Sequence, residues 1–242
     1  MRFGLQTALA AVFPPRCVAC GAMVDSDFAL CGAFWGKMPF ISGLTCDACG
    51  VPLPGAGDGC RAECDDCLTT KRPWAAGRSA LLYRDMARKL VLGLKHGKRT
   101  EIARPAAIWM ARAGQDILQP DMIVAPVPLH WSRLVRRSFN QSAVLADRLA
   151  RQKGLLHLPD LLRRTRATRP LDHRSVAARF AELDRSIEVH PRHVDRVRGR
   201  PVLLVDDVMT AGATLAEATR ACHAAGAGPV FVLTLARVAK ET

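Results

Sequence analysis

Near its C-terminal end the chain switches between two kinds of hydrophobic pattern. Pro201-Val202-Leu203-Leu204-Val205 is an unbroken apolar run, the pattern of a parallel strand buried on both faces. After the polar and small residues Asp206 to Thr214, a helical pattern extends from Leu215 to Ala225 and meets Gly226, a natural residue for ending a helix. The next apolar run, Val230 to Val238, predicts another strand. Strand, loop, helix, strand is the repeating unit of an α/β domain with a parallel sheet. Pro, Arg or Gly interrupts the longest apolar runs, so none approaches the roughly 18 to 20 residues of a membrane-spanning helix. At the other end, Met1 to Phe13 carries Arg2 and then Ala and Leu, which superficially imitates a signal peptide. Pro14, Pro15 and Arg16 follow directly, so this segment is expected to form a short amphipathic helix instead.

The 242 residues suggest one large domain, or one domain plus a small module, at roughly 150 residues per domain. A hydrophobic share of 49% with 24% charged residues supports a sizeable core and excludes wholesale disorder. The net charge of +13 is unevenly spread: residues 1 to 75 hold six Lys/Arg and seven Asp/Glu, so the entire excess lies beyond them. Eight of the nine cysteines precede residue 68. These two shifts predict a cysteine-rich module over residues 1–75 and an α/β domain over 76–242. The positive field attracts polyanions, whether a nucleic-acid backbone or a small phosphorylated metabolite.

The cysteines read Cys17-x2-Cys20, Cys31, Cys46-x2-Cys49, Cys60 and Cys64-x2-Cys67. Two thiolates separated by two residues converge on one ion from a tight turn, and two such turns supply a tetrahedral structural zinc site. Cys46, Cys49, Cys64 and Cys67 meet that requirement alone. A disulfide framework would need an oxidising compartment, and neither a convincing signal peptide nor an even cysteine count supports one, so zinc in a reducing cytoplasm is the expectation. Cys17, Cys20 and Cys31 recur at an offset of 29 residues as Cys46, Cys49 and Cys60, which reads as an internal duplication. The first set is one ligand short, because position 34 is Phe34. Either Cys60 completes it across the two halves, or it takes water or a histidine, or it holds no metal. Four-thiolate sites leave no open position for catalysis, so a folding staple or docking surface is expected.

The segment Asp206-Asp207-Val208-Met209-Thr210-Ala211-Gly212-Ala213-Thr214 lies beyond the carboxyl end of its strand, where α/β sheets bind ligands. Small residues from Ala211 to Ala213 let backbone N–H groups close around a phosphate at the helix N-terminus, where the dipole adds favourable potential. Thr210 and Thr214 can add hydroxyl donors. Two adjacent aspartates would repel a bare anion, but the vicinal hydroxyls of a ribose 5-phosphate give them a role as acceptors. The stretch Gly93-Leu94-Lys95-His96-Gly97-Lys98-Arg99 lacks the spacing and the Ser/Thr of a P-loop.

The run from Val205 to Thr214 resembles the PRPP-binding motif of type I phosphoribosyltransferases. Joined to the cysteine-rich module and to Leu94-Lys95-His96-Gly97, Pro126-Val127-Pro128-Leu129 and Arg137-Ser138-Phe139-Asn140-Gln141, it resembles the ComF family over essentially the whole chain. That resemblance implies a double zinc ribbon before a phosphoribosyltransferase-like domain, and a link to DNA uptake in natural competence. It implies that Asp206 and Asp207 grip the ribose, that Met209 and Thr210 to Thr214 hold the 5-phosphate, and that the turn from Val127 to His130 meets the pyrophosphate. The chain departs from the family pattern at Phe34, where a fourth cysteine is usual, and at Ala211, where a second threonine is common. It departs again at Leu171 and Glu182, where glutamine and asparagine are usual.

Phosphoribosyl transfer would leave positive charge on the sugar and negative charge on pyrophosphate. Mg²⁺ and cationic side chains can supply most of the stabilisation. Lys95, Arg133, Arg136 and Arg137 are the candidates for the cationic role, beside Asp206 and Asp207. Thr210 stands where a purine-specific enzyme would carry a carboxylate base, which disfavours a hypoxanthine-type salvage enzyme. Cys222 is expected in the core and His223 on the surface, while Trp35 and Trp74 are expected to pack the ribbons or the domain junction. The competing reading is a non-catalytic, regulatory or single-stranded DNA-binding protein. Residues 130 to 200 hold seventeen Lys/Arg against seven Asp/Glu, yet only Trp131, Phe139 and Phe180 offer the aromatic surfaces that stack bases.

Overall fold

The computed structural model describes residues 14–26, 29–57, 59–96, 99–129, 139–166 and 176–239. The amphipathic helix expected at residues 1–13 lies outside them. Among the described residues seven strands are formed: β1 (Ala76–Leu82), β2 (Ile123–Pro126), β3 (Leu156–His157), β4 (Leu162–Arg164), β5 (Ile187–Val189), β6 (Val202–Met209) and β7 (Val230–Arg237). The principal helices are α1 (Asp85–His96), α2 (Ala103–Ala113), α3 (Gln141–Lys153), α4 (Val176–Leu183) and α5 (Ala213–Ala224). Five strands make one sheet in the order β1-β7-β6-β2-β3, and all four pairings are parallel. β4 and β5 form a separate antiparallel pair. Among the described residues no helix is long and apolar enough to cross a membrane.

Alternation along the central strands assigns successive side chains to two cores. Leu203 and Val205 of β6, with Phe231, Leu233 and Leu235 of β7, pack in one cluster with Leu94 of α1, Met110 of α2 and Leu145 of α3. Val202 and Leu204, with Val230 and Val232, pack in the other with Leu215, Ala218 and Cys222 of α5. Cys46, Cys49, Cys67 and Trp74 belong to this second cluster. The cysteine-rich module therefore shares a core with the sheet rather than folding around its own. Burial alone pushes the Cys222 thiol up to about 12, the behaviour of a core cysteine.

The apolar run at Pro201 to Val205 predicts a shorter strand than the chain forms. β6 continues through the acidic pair to Met209, because β7 runs beside it and pairs Asp206 with Thr234, Val208 with Ala236 and Met209 with Arg237. The helix after it starts at Ala213 rather than Leu215.

The duplication is visible in the knuckle backbones. Arg16 bridges Met23 and Thr45 bridges Pro52, while Gly21 N donates to Cys17 O as Gly50 N does to Cys46 O; each pair keeps the 29-residue offset. The second halves slip out of that register. Cys31 precedes a single-turn helix at Gly32–Trp35 and Cys64 precedes one at Asp65–Thr69, so Cys64 is the structural counterpart of Cys31. Cys60 is an addition, and Phe34 occupies the place of Cys67.

The module also closes the outer edge of β1, which an open sheet would otherwise expose to pairing. Ile41 N donates to Ala80 O and Leu82 N to Pro39 O at 3.0 and 2.9 Å. Close packing explains Gly77, where a Cβ would meet Ala48 O at 2.6 Å and Val232 Cγ2 at 2.7 Å. Neither neighbour can retreat without moving a strand or a knuckle. Gly77→Ala is expected to destabilise the fold by about 2 kcal/mol, seen as a drop of about 5 °C in thermal unfolding; an unchanged midpoint would mean that the ribbon yields.

Candidate functional site

The acidic pair lies at the C-terminal end of β6, and α1 and α3 bring partners to it. Asn140 caps α3 by accepting from Ser142 N at 3.1 Å, and its Nδ2 donates to Val127 O at 3.0 Å. That cap turns the first residue pair of α3 towards the sheet, where Ser142 Oγ donates to Asp206 Oδ1 at 2.7 Å. Asp207 N donates to the same oxygen at 2.9 Å. Lys95, near the end of α1, reaches Asp207 Oδ2 at 3.1 Å, and Gln141 Nε2 donates to Lys95 O at 3.2 Å. Burial, then the adjacent Asp207 charge, pushes the Asp206 carboxyl up to about 7, although Ser142 and Lys95 pull it down. One ammonium thus faces two carboxylates, and the pair favours a further cation or hydroxyl donors.

Past Met209 the chain leaves the sheet, and Gly212, at φ +77°, stands immediately before α5. This left-handed residue needs glycine on two counts, since a Cβ there would also meet the Trp74 ring at 3.1 Å. The turn opens a cleft lined by Asp206, Val208, Met209, Thr210, Gly212, Ala213, Thr214 and Leu215. The Asp206 carboxylate and the N-terminus of a twelve-residue helix therefore share one cavity. Of the other sequence-derived candidates, Val127 joins the site through its carbonyl to Asn140. His130, Arg133, Arg136 and Arg137 lie outside the described residues. Ala211 lines the turn beside Gly212, where its carbonyl accepts from Arg72 Nη1 at 2.8 Å. Glu217 is buried on α5 and held by Arg220 at 2.6 Å, which fits a structural rather than a basic role.

Ser142, Asn140, Arg72 and Arg237 are the contributors that sequence reasoning missed. Arg237, 5% exposed, donates from Nη1 to Met209 O, Thr210 O and Val238 O, under the turn. Asn140 alone carried a local signal, as a cap residue before a helical pattern.

The thiols form two groups, Cys46, Cys49, Cys64 and Cys67 in one and Cys17, Cys20 and Cys31 in the other, with ligand atoms in each within 4.8 Å of one another. A tetrahedral zinc ion with Zn–S of about 2.3 Å spaces its sulfurs about 3.8 Å apart. Cys49 and Cys64 are at 3.7 Å, and Cys20 and Cys31 at 3.8 Å. Both clusters fit structural zinc in donor type and spacing. Hydrogen bonds from Cys49 and Cys67 hold the Cys46 thiol far below the ordinary range, while the matching contacts push the Cys67 thiol well above it. The expectation that Cys60 completes the three-thiol cluster is corrected: Cys60 is exposed and belongs to neither group, because it stands before the turn that delivers Cys64. Trp74 is buried with its indole N–H on Ala48 O, at the junction; Trp35 is half exposed and lies against Phe40.

Comparison with known proteins agrees with both halves of this picture. The double zinc ribbon domain family matches residues 8–68. The DNA utilization protein YhgH of Salmonella typhimurium is 33% identical over 198 residues, covering 79% of this chain and 83% of that protein. Competence protein F of Haemophilus influenzae is 29% identical over 154 residues, covering 64% of this chain and 60% of its own length. A shorter match, 47% identical over 45 residues, covers 19% of this chain and 15% of the ribose-phosphate pyrophosphokinase of Methanopyrus kandleri. A double zinc ribbon packed on a parallel α/β sheet, together with a relative of this identity and coverage, places the chain in the ComF family.

Proposed function

We propose that the cleft at the end of β6 binds a ribose 5-phosphate, with PRPP as the favoured ligand in company with Mg²⁺. The observation that carries this reading is Asp206, with Asp207 next to it in the chain, lining one cavity with the turn and first residues of α5. A phosphate alone would be repelled by Asp206 and Asp207, and a cation alone would have no use for the helix dipole. A ligand with vicinal hydroxyls at one end and a phosphate at the other satisfies both. Asp206 and Asp207 accept from the ribose hydroxyls, backbone N–H groups from Ala211 to Thr214 and the hydroxyls of Thr210 and Thr214 hold the 5-phosphate, and Lys95 neutralises the pair. Mg²⁺ would shield the pyrophosphate charge. The 45-residue match to an enzyme named for ribose phosphate supports the same ligand class. Within this reading, Arg133 and Arg137 are the candidates for the cationic role toward the leaving group, and His130 for a contact to pyrophosphate.

A second reading concerns DNA, and it is favoured by charge. The +13 net charge arises wholly beyond residue 75, and the relatives are named for DNA utilization and competence. We infer that the basic surface binds single strands through phosphates, in a reducing cytoplasm that keeps the thiols available for zinc. The two activities are compatible, the pocket regulating the surface.

Calorimetric titration of PRPP with Mg²⁺ into zinc-loaded protein and into Asp206→Asn/Asp207→Asn tests the first reading. Wild-type binding weakened at least 100-fold by the double substitution is the expected result, since each charge-assisted bond contributes roughly 1.5 to 3 kcal/mol. No PRPP binding, alongside single-strand binding that falls steeply with salt and ignores the substitution, would leave nucleic-acid handling as the function.

A further inference from the structure

Two guanidinium groups connect the four-thiolate cluster to the turn that forms the phosphate cleft. Arg72 Nε donates to Cys67 Sγ at 3.4 Å, and its Nη1 donates to Ala211 O at 2.8 Å. Arg237 Nη2 donates to Cys49 Sγ at 3.8 Å, and its Nη1 donates to Thr210 O at 2.7 Å and to Met209 O at 3.3 Å. Trp74 packs under the Arg72 guanidinium at 5.8 Å and against Gly212. Every carbonyl from Met209 to Ala211 is thus tied to a side chain whose other end rests on a metal-ligating sulfur. Pulled inward in this way, the carbonyls leave the amide N–H groups of the same turn directed to the cleft, because the two ends of a peptide unit point in opposite directions.

The charges complement each other. Four thiolates around a divalent ion carry a net charge of about −2, and two guanidinium groups offset it. Each arginine thus has one partner in the thiolate centre and one in the turn of the ligand site.

We propose that Arg72 and Arg237 are positioning residues through which the Cys46, Cys49, Cys64 and Cys67 centre holds the phosphate turn in its binding shape. The inference deepens the reading of the site assigned above and rests on that assignment for its ligand, but not for its structural test. Arg72→Gln is the more informative variant, because Arg72 lies at the junction rather than in the sheet, and glutamine keeps a donor without the charge or the fork. Arg61→Gln, at an exposed residue of the same module that pairs with Glu63, is the control.

Hydrogen exchange of the unliganded, zinc-loaded protein decides the structural part. Arg72→Gln is expected to raise exchange at least tenfold at the amide of Ala216, whose N–H donates to Gly212 O of the turn at 2.8 Å, with two observables unchanged: zinc content and exchange in β7. Arg61→Gln is expected to match wild type throughout. Unaltered exchange at Ala216 in Arg72→Gln, with zinc retained, overturns the coupling, as does a general rise in exchange across the sheet. PRPP with Mg²⁺ titrated into the same proteins is expected to bind Arg72→Gln about tenfold more weakly than wild type, a difference of about 1.4 kcal/mol. Equal affinity overturns the positioning role. Should PRPP bind neither protein, the ligand assignment fails while the exchange result still judges the link between metal centre and turn.

Discussion

Removing metal from the Cys46, Cys49, Cys64 and Cys67 centre is expected to lower the thermal midpoint of the whole chain by more than 15 °C, not merely to unravel the ribbon. Structural zinc contributes on the order of 10 kcal/mol to a small module, comparable with the entire stability of an ordinary domain. In an independent module that energy would be lost locally. Here Cys46, Cys49 and Cys67 are fully buried in the cluster that also contains Leu204, Val230 and Val232, so the loss reaches the centre of the sheet. The module also caps the edge of β1, and its departure would leave that strand open to intermolecular pairing. Calorimetry of metal-loaded and chelator-treated protein, with metal content measured in parallel, checks this; two separate transitions, with the sheet melting at its original temperature, would refute it. Cys20→Ser provides the contrast. Its thiol is exposed, in a three-thiol cluster outside that core, and its replacement is expected to shift the midpoint by no more than a few degrees.

Replacing Asp206 by Asn is expected to stabilise the fold and weaken the ligand at the same time. The Asp206 carboxyl titrates near 7 in the folded chain, against an ordinary value of 3.8. Between those values the folded chain keeps a proton that the unfolded chain has lost, so stability falls as pH rises through 7 and is fully present only below about 4. Asparagine removes this dependence yet still accepts from Ser142 and from the Asp207 amide. At pH 8 the variant should be more stable by on the order of 2 to 4 kcal/mol, while at pH 4 the two proteins should coincide. Binding should run the other way. In wild type, affinity for PRPP with Mg²⁺ rises between pH 6 and 8 as Asp206 ionises; in Asp206→Asn it is weaker and flat across that interval. Thermal melts and titrations at three pH values distinguish this pattern from a uniform loss. A variant less stable than wild type at pH 8 would show that the carboxylate is well solvated and that the pair carries no stored repulsion.

The parts legible beforehand were those written in adjacent residues. The apolar run before Asp206 and the small-residue turn after it define a strand-to-helix junction with a polar mouth, and both strands and α5 follow that pattern to within a few residues. The C-x2-C spacings likewise place paired thiols in tight turns. What escaped lies far apart along the chain. Ser142 and Asp206 are separated by 64 positions, and Arg72 and Ala211 by 139; no local periodicity marks an arginine that will reach a distant carbonyl. Even the cysteine register misled at one point, because an offset counted along the sequence pairs Cys31 with Cys60, whereas helix starts pair it with Cys64.

The amino-acid sequence by itself determined the two chemistries of this protein, thiolate turns and a phosphate-type turn, because each depends on backbone geometry within a dozen residues and on residue types that few other roles require. Only the tertiary structure decided that they are neighbours. That proximity comes from parallel pairing, which sets β7 beside β6 and so carries Arg237 under the turn. It comes also from the packing of the ribbon on the same sheet face as α5, which brings Cys49 and Cys67 within reach of the arginines that hold the turn in place.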